Sequence, residues 1–157
     1  LTPGAKHIGA RVIAVTSSAA KAERAKAFGA DEVVIGYDDV AKKVRELTGG
    51  KGVDVVYDSV GKISAEASLS SLRPRGWFIT YGNASGAADP IPPGRLAAGG
   101  SLVMTRPTLF NFTDTPASLA RASKRLFSLV ESGVLTADIG QRFALKDAAD
   151  AHRALES

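Results

Sequence analysis

Three short apolar runs in this chain stop abruptly in small and polar residues. Val53–Tyr57 runs into Asp58-Ser59-Val60-Gly61, Trp77–Tyr81 into Gly82-Asn83-Ala84-Ser85-Gly86, and the run ending at Val15 into Thr16-Ser17-Ser18. Buried parallel strands end in this way at the rim of a ligand crevice. The glycines let a ligand approach the backbone, and Asp58, Ser59, Asn83 and Ser85 supply hydrogen-bonding groups. A single end of this kind is ordinary turn chemistry; three in one chain point to a binding site. Tyr81 and Ser85 could each donate a proton, or could simply line the crevice.

The end at Thr16-Ser17-Ser18 carries the most specific chemistry. At the second strand of a nicotinamide-binding sheet an acid holds the ribose 2′-hydroxyl, whereas hydroxyls and a cation suit a 2′-phosphate. This chain has no acid there, and Lys21 and Arg24 follow one turn apart. Hydroxyls, free helix N–H groups and an ammonium together make an anion site. A serine cap followed by a solvated Lys and Arg fits the same residues, and spacing alone leaves both open. Tyr37 and Asp38, past the next strand, could flank an adenine or cover the sheet edge.

The elements that position these groups alternate. Strands are expected at Arg11–Val15, Glu32–Ile35, Val53–Tyr57, Trp77–Tyr81 and Ser101–Thr105. Helices are expected at Ala19–Phe28, from Asp38 or Asp39 to Leu47, and at Ile63–Leu72, Pro116–Ser132 and Lys146–Glu156. Leu1–Gly4 reads as a turn and Ala5–Gly9 as the last turn of a helix. Gly82–Gly100 reads as a long irregular loop and Ile139–Leu145 as extended chain. Strand alternating with helix gives one α/β domain over residues 1–157, a parallel sheet with helices on its faces.

Composition excludes several other classes. The 157 residues, 45% hydrophobic and 23% charged, suit a single globular domain. No apolar run approaches the ~18 residues of a membrane span, and the start lacks the order of a signal peptide, so a cytoplasmic location is expected. There is no cysteine, and His7 and His152 lie far apart, so no metal site is expected. The net charge of +4 favours anions weakly. The basic residues are scattered along helices among acids, without interleaved aromatics, and nucleic-acid binding is not expected.

Longer motifs carry a family resemblance. Leu47-Thr48-Gly49-Gly50-Lys51-Gly52 leading into Val53–Gly61, Leu72-Arg73-Pro74-Arg75-Gly76, Tyr81–Gly86, Gly100–Leu109, Phe127–Gly133 and Ala148–Glu156 occur in order across nearly the whole chain. They resemble the cofactor-binding domain of the quinone oxidoreductase (zeta-crystallin-like) branch of the zinc-independent medium-chain dehydrogenases/reductases. The resemblance implies a Rossmann-like doubly wound parallel sheet, NADPH as cofactor, and hydride transfer to quinones or conjugated carbonyls. It places Ser17, Ser18 and Lys21 at the 2′-phosphate with Tyr37 beside it, Val60 near the cofactor, and Tyr81, Gly82, Asn83 and Ala84 along its nicotinamide half. It also implies a homodimer through the Ser101–Thr105 strand edge. No catalytic acid or base is assigned, since the cofactor carries the chemistry.

Relative to the family, the N-terminal catalytic domain and the returning C-terminal strand are expected to be absent. So are the first Rossmann strand and its glycine-rich turn, about twenty residues that Leu1-Thr2-Pro3-Gly4, taken as the lead-in, would have lost before Ala5. Without that strand, Arg11–Val15 and Val53–Tyr57 lose a shared neighbour, which leaves unpaired backbone unless they pair directly in a rewired sheet, a partner chain fills the gap, or the natural protein has residues that this sequence lacks. Such a chain is expected to bind NADPH weakly and to have no turnover by itself. The alternative reading is a non-catalytic Rossmann remnant acting as a dimerisation or interaction module. A methyltransferase-like nucleotide binder is disfavoured by the missing acid after Val15.

Overall fold

A computed structural model describes residues 1–156. Five parallel strands alternate with helices, as the apolar runs require: β1 (Ile13–Thr16), β2 (Glu32–Ile35), β3 (Val53–Asp58), β4 (Leu72–Thr80) and β5 (Val103–Thr105). The helices are α1 (Thr2–His7), α2 (Ala19–Ala27), α3 (Val40–Leu47), α4 (Ala65–Ser71), α5 (Pro93–Ala98), α6 (Leu109–Phe112), α7 (Pro116–Glu131) and α8 (Ala148–Glu156).

The strands form two sheets. β1 pairs with β2, and β3-β4-β5 form a separate three-stranded sheet in that order. The direct β1–β3 pairing that a rewired sheet would need is not made. The two sheets are joined through side chains instead. Val34, Val40 and Val44 form a buried cluster against which Ile13 of β1 and Val53 of β3 both pack. Arg11 Nη1 also donates to the Leu47 carbonyl at 2.9 Å. The larger core lies under the three-stranded sheet, where Phe78, Leu72 and Leu69 are buried with Ala65 and Leu102.

Several local expectations are corrected. Thr2–His7 is one continuous helix with Pro3 in its first turn, not a turn followed by a helix end. Proline is tolerated there because the first-turn N–H has no helical partner to lose. Gly4 and Ala5 adjoin within this helix. Gly9, at φ 83°, does close that helix.

Gly82–Gly100 is not wholly irregular. It contains α5, whose Pro93 sits in the first turn and whose Leu96 packs on the larger core. Leu72 belongs to β4 rather than to the preceding helix, and β4 starts five residues before Trp77. Ile139–Leu145 makes no strand; Leu145–Asp147 is a turn of 3-10 helix leading into α8. α6 was not foreseen.

Candidate functional site

At the end of β1, Ser18 takes extended backbone angles and caps α2, its Oγ accepting from Lys21 N at 3.4 Å. Lys21 Nζ reaches back to Ser17 Oγ at 3.2 Å. Ser17 and Lys21 are exposed and Ser18 half-buried. The cap and the cation thus coexist: one serine orders the helix start while the other meets the ammonium. Gly36 N donates to Thr16 O at 2.8 Å, continuing the β1–β2 ladder to the residue before Tyr37. Ser17, Ser18, Lys21 and Tyr37 therefore lie at the C-terminal edge of the two-stranded sheet.

The ends of β3 and β4 form a second group. Tyr81 N donates to Asp58 O at 2.8 Å, Ala84 N to Ser59 O at 3.2 Å, Ser85 N to Val60 O at 2.8 Å, and Lys62 N to Gly86 O at 3.0 Å. Ser85 Oγ adds a bond to Val60 O at 2.8 Å and accepts from Ile63 N at 3.1 Å. Two glycines permit this closeness. A Cβ on Gly82 would stand 2.4 Å from Ser59 O, and one on Gly61, at φ 91°, 2.4 Å from Gly86 O. Val60, Gly82, Asn83 and Ala84 are consequently parts of one zipped rim. Tyr81 and Asn83 are exposed on it.

Bonded to both Val60 O and Ile63 N, the Ser85 side chain ties the two loops together. Beneath the rim sits Asp58, 4% exposed, accepting from Val60 N, Gly61 N, Ser64 Oγ and Ser68 Oγ. The sequence reading named Asp58 only as a crevice group and missed both serines. The signal was present: Ser64 and Ser68 are four apart, hence on one helix face, close behind the strand end. Arg106 was also passed over. Its Nη1 donates to Thr80 Oγ1 at 3.3 Å, and it lines an open hollow of about 310 Å³ with Asn83, Ile91 and Met104.

The donor set fits a phosphorylated dinucleotide. An ammonium, two hydroxyls and the free N–H groups of nine-residue α2 meet at one strand end, and an exposed amide and backbone groups at the other. Among the described residues no three histidines or acids gather as metal ligands.

Comparison with known proteins agrees with this geometry. The family described as zinc-binding dehydrogenase matches residues 2–124. A quinone oxidoreductase of Salmonella typhimurium is 48% identical over 157 residues, covering 98% of this chain and 48% of that protein. A 2-haloacrylate reductase of a Burkholderia species is 45% identical over 155 residues, covering 98% of this chain and 46% of its own length. A mycobacterial structure complexed with NADPH superposes with TM-score 0.94 at 45% identity, covering 99% of this chain and 49% of the other. The chain spans about half the length of the curated relatives it matches. With the family matched over most of its residues, the chain belongs to the zinc-binding dehydrogenase family, in the quinone oxidoreductase branch of the medium-chain dehydrogenases/reductases.

Proposed function

We propose that this chain is the cofactor-binding part of a cytoplasmic NADPH-dependent reductase that delivers hydride to quinones or other electron-poor conjugated carbonyls. The observation that carries the reading is the Ser17–Lys21 contact at the start of α2, at a strand end with no acid. In this reading Ser17, Ser18 and Lys21 hold the 2′-phosphate and Tyr37 covers the adenosine side. Val60, Tyr81, Gly82, Asn83 and Ala84 face the nicotinamide half. NADPH supplies the hydride. The residues of this chain bind and orient it. The names of the relatives, a quinone oxidoreductase and a haloacrylate reductase, support a small unsaturated acceptor made electron-poor by conjugation.

The substrate pocket and the first Rossmann strand belong, in this reading, to a part of the protein outside these 157 residues. Among the described residues, only α1 precedes β1. The non-catalytic remnant keeps one supporting feature, the split between the two sheets, which leaves the cofactor site in two halves.

Calorimetric titration with NADPH and with NADH tests the reading, on this chain and on the full-length protein. A charge-assisted contact of this type contributes roughly 1.5–3 kcal/mol. Lys21→Ala should therefore weaken NADPH binding by about tenfold or more and leave NADH nearly unchanged. Equal loss for both cofactors would remove the 2′-phosphate site. Absence of binding by the full-length protein would favour the remnant.

A further inference from the structure

Asp58 is a carboxylate in a place where carboxylates are costly. It is 4% exposed, and no lysine, arginine or histidine pairs with it among the described ion pairs. Four neutral donors surround it instead. Oδ1 accepts from Val60 N at 2.8 Å and Gly61 N at 3.0 Å, Oδ2 from Ser68 Oγ at 2.7 Å, and Ser64 Oγ lies 2.9 and 2.8 Å from the two oxygens. One carboxylate has about four lone-pair sites, so its capacity is filled. Burial of such a group without complete hydrogen bonding would be strongly unfavourable.

The partners come from two directions. Ser64 and Ser68 belong to the start and first turns of α4, which is anchored in the core through Ala65 and Leu69. Val60 N and Gly61 N belong to the turn that carries the zipped rim. The carboxylate thus ties the rim's lower loop to the most buried helix of the molecule. The upper loop is tied to the lower one by the bonds from Tyr81, Ala84 and Ser85 to Asp58, Ser59 and Val60.

Building on the NADPH reading, we propose that Asp58 is the positioning residue of the nicotinamide-facing rim. Its four hydrogen bonds fix the Ser59–Gly61 turn on α4, and the turn in turn holds Gly82–Ala84 at the height the cofactor needs. Asp58 does not touch the cofactor; it acts through Val60 and Gly61. A replacement that keeps its size but mismatches the donors, Asp58→Asn, turns one acceptor into an NH₂ group facing donors. The rim should then sample positions away from the bound geometry.

The test is steady-state kinetics of the full-length protein with NADPH and NADH, alongside thermal unfolding. Asp58→Asn should raise KM for NADPH about tenfold, with a smaller fall in kcat. The ratio of NADPH to NADH efficiency should stay constant, because the Ser17–Lys21 end is untouched. Ser64→Ala leaves three of the four donors in place and should raise KM in the same direction by a few-fold. It carries the test if Asp58→Asn does not accumulate. A purely structural carboxylate would lower the melting temperature and the active fraction while leaving KM unchanged, and that result overturns the proposal. A wild-type protein that does not oxidise NADPH overturns the underlying reading instead.

Discussion

Asp31 joins three segments with one side chain. Lys6 Nζ of α1 bonds both of its oxygens, at 2.7 and 2.9 Å, and Val12 N, just before β1, donates to Oδ2 at 2.7 Å. The hydrogen bond from Lys6, followed by that from the Val12 amide, holds the carboxyl below the usual aspartate range. A depressed carboxyl stabilises the fold above its unfolded pKa, and that contribution is lost as pH falls through its lower folded value. Acidification below about pH 4 should therefore release α1 from the β1–β2 unit. Amide NMR shifts of α1 and Val12 read against pH check this: they should move in acid in the wild type and stay nearly flat with pH in Asp31→Asn. The same acid profile in both would show that Asp31 does not set the transition. Since the pair is solvent-exposed, the effect is local rather than global. Groups that act through near neighbours in sequence were legible at this scale. Ser17, Ser18 and Lys21 span one helical turn, and their contact follows from spacing. Asp58's role was less legible because its partners arrive from a strand-end turn and a helix face together.

Among the elements, regular strands and helices were readable from apolar runs, caps and glycines, and Glu32–Ile35 matches residue for residue. The turn expected at Leu1–Gly4 and the loop expected at Gly82–Gly100 both give way to helix, because Pro3 and Pro93 each sit in a first turn where a missing N–H costs nothing. Ile139–Leu145 has strand-like composition but no neighbour to pair with, and composition alone does not make a ladder. Among the described residues β5 pairs with β4 alone: Val103, Met104 and Thr105 face Trp77, Phe78 and Ile79, and no strand pairs with the opposite edge. Val103 and Met104 are 37% and 39% exposed, an unprotected edge of the kind that recruits another strand. We infer that this edge is the dimer contact, as the family resemblance suggests. Light scattering should give a dimer mass for the wild-type chain, and Val103→Lys should shift it to the monomer, since a charge at an open edge opposes pairing. A monomeric wild type, or a dimer indifferent to the substitution, would place the contact elsewhere.

For the whole molecule, the decisive feature is the break between the sheets. The sequence led to a shared neighbour missing between the first and third strands, because the family order places one there. It did not reveal whether the two would close on each other. The structure keeps them apart while packing Ile13 and Val53 on the same valine cluster, so the helical layer is continuous where the sheet is not. Apolar residues consequently remain at the surface, with Val55, Tyr57 and Trp77 on the three-stranded sheet 38%, 56% and 47% exposed. α7 has a capping box at Thr115 and the expected amphipathic pattern, but Leu119 and Leu126 are about half exposed, at 52% and 51%. Hydrogen exchange turns this into a measurement. A backbone amide exchanges slowly only where its ladder partner and its surroundings stay closed. β4, flanked on both sides, should be the slowest strand of the isolated chain, and β1 and β3, each paired on one side, should exchange much faster. On the proposed reading, in which a longer protein supplies the missing strand, its insertion between them should bring β1 and β3 to the protection of β4. Equal protection of the three strands in the isolated chain would mean that β1 and β3 find each other in solution. Unchanged fast exchange in the full-length protein would mean that the break is a permanent feature of the fold.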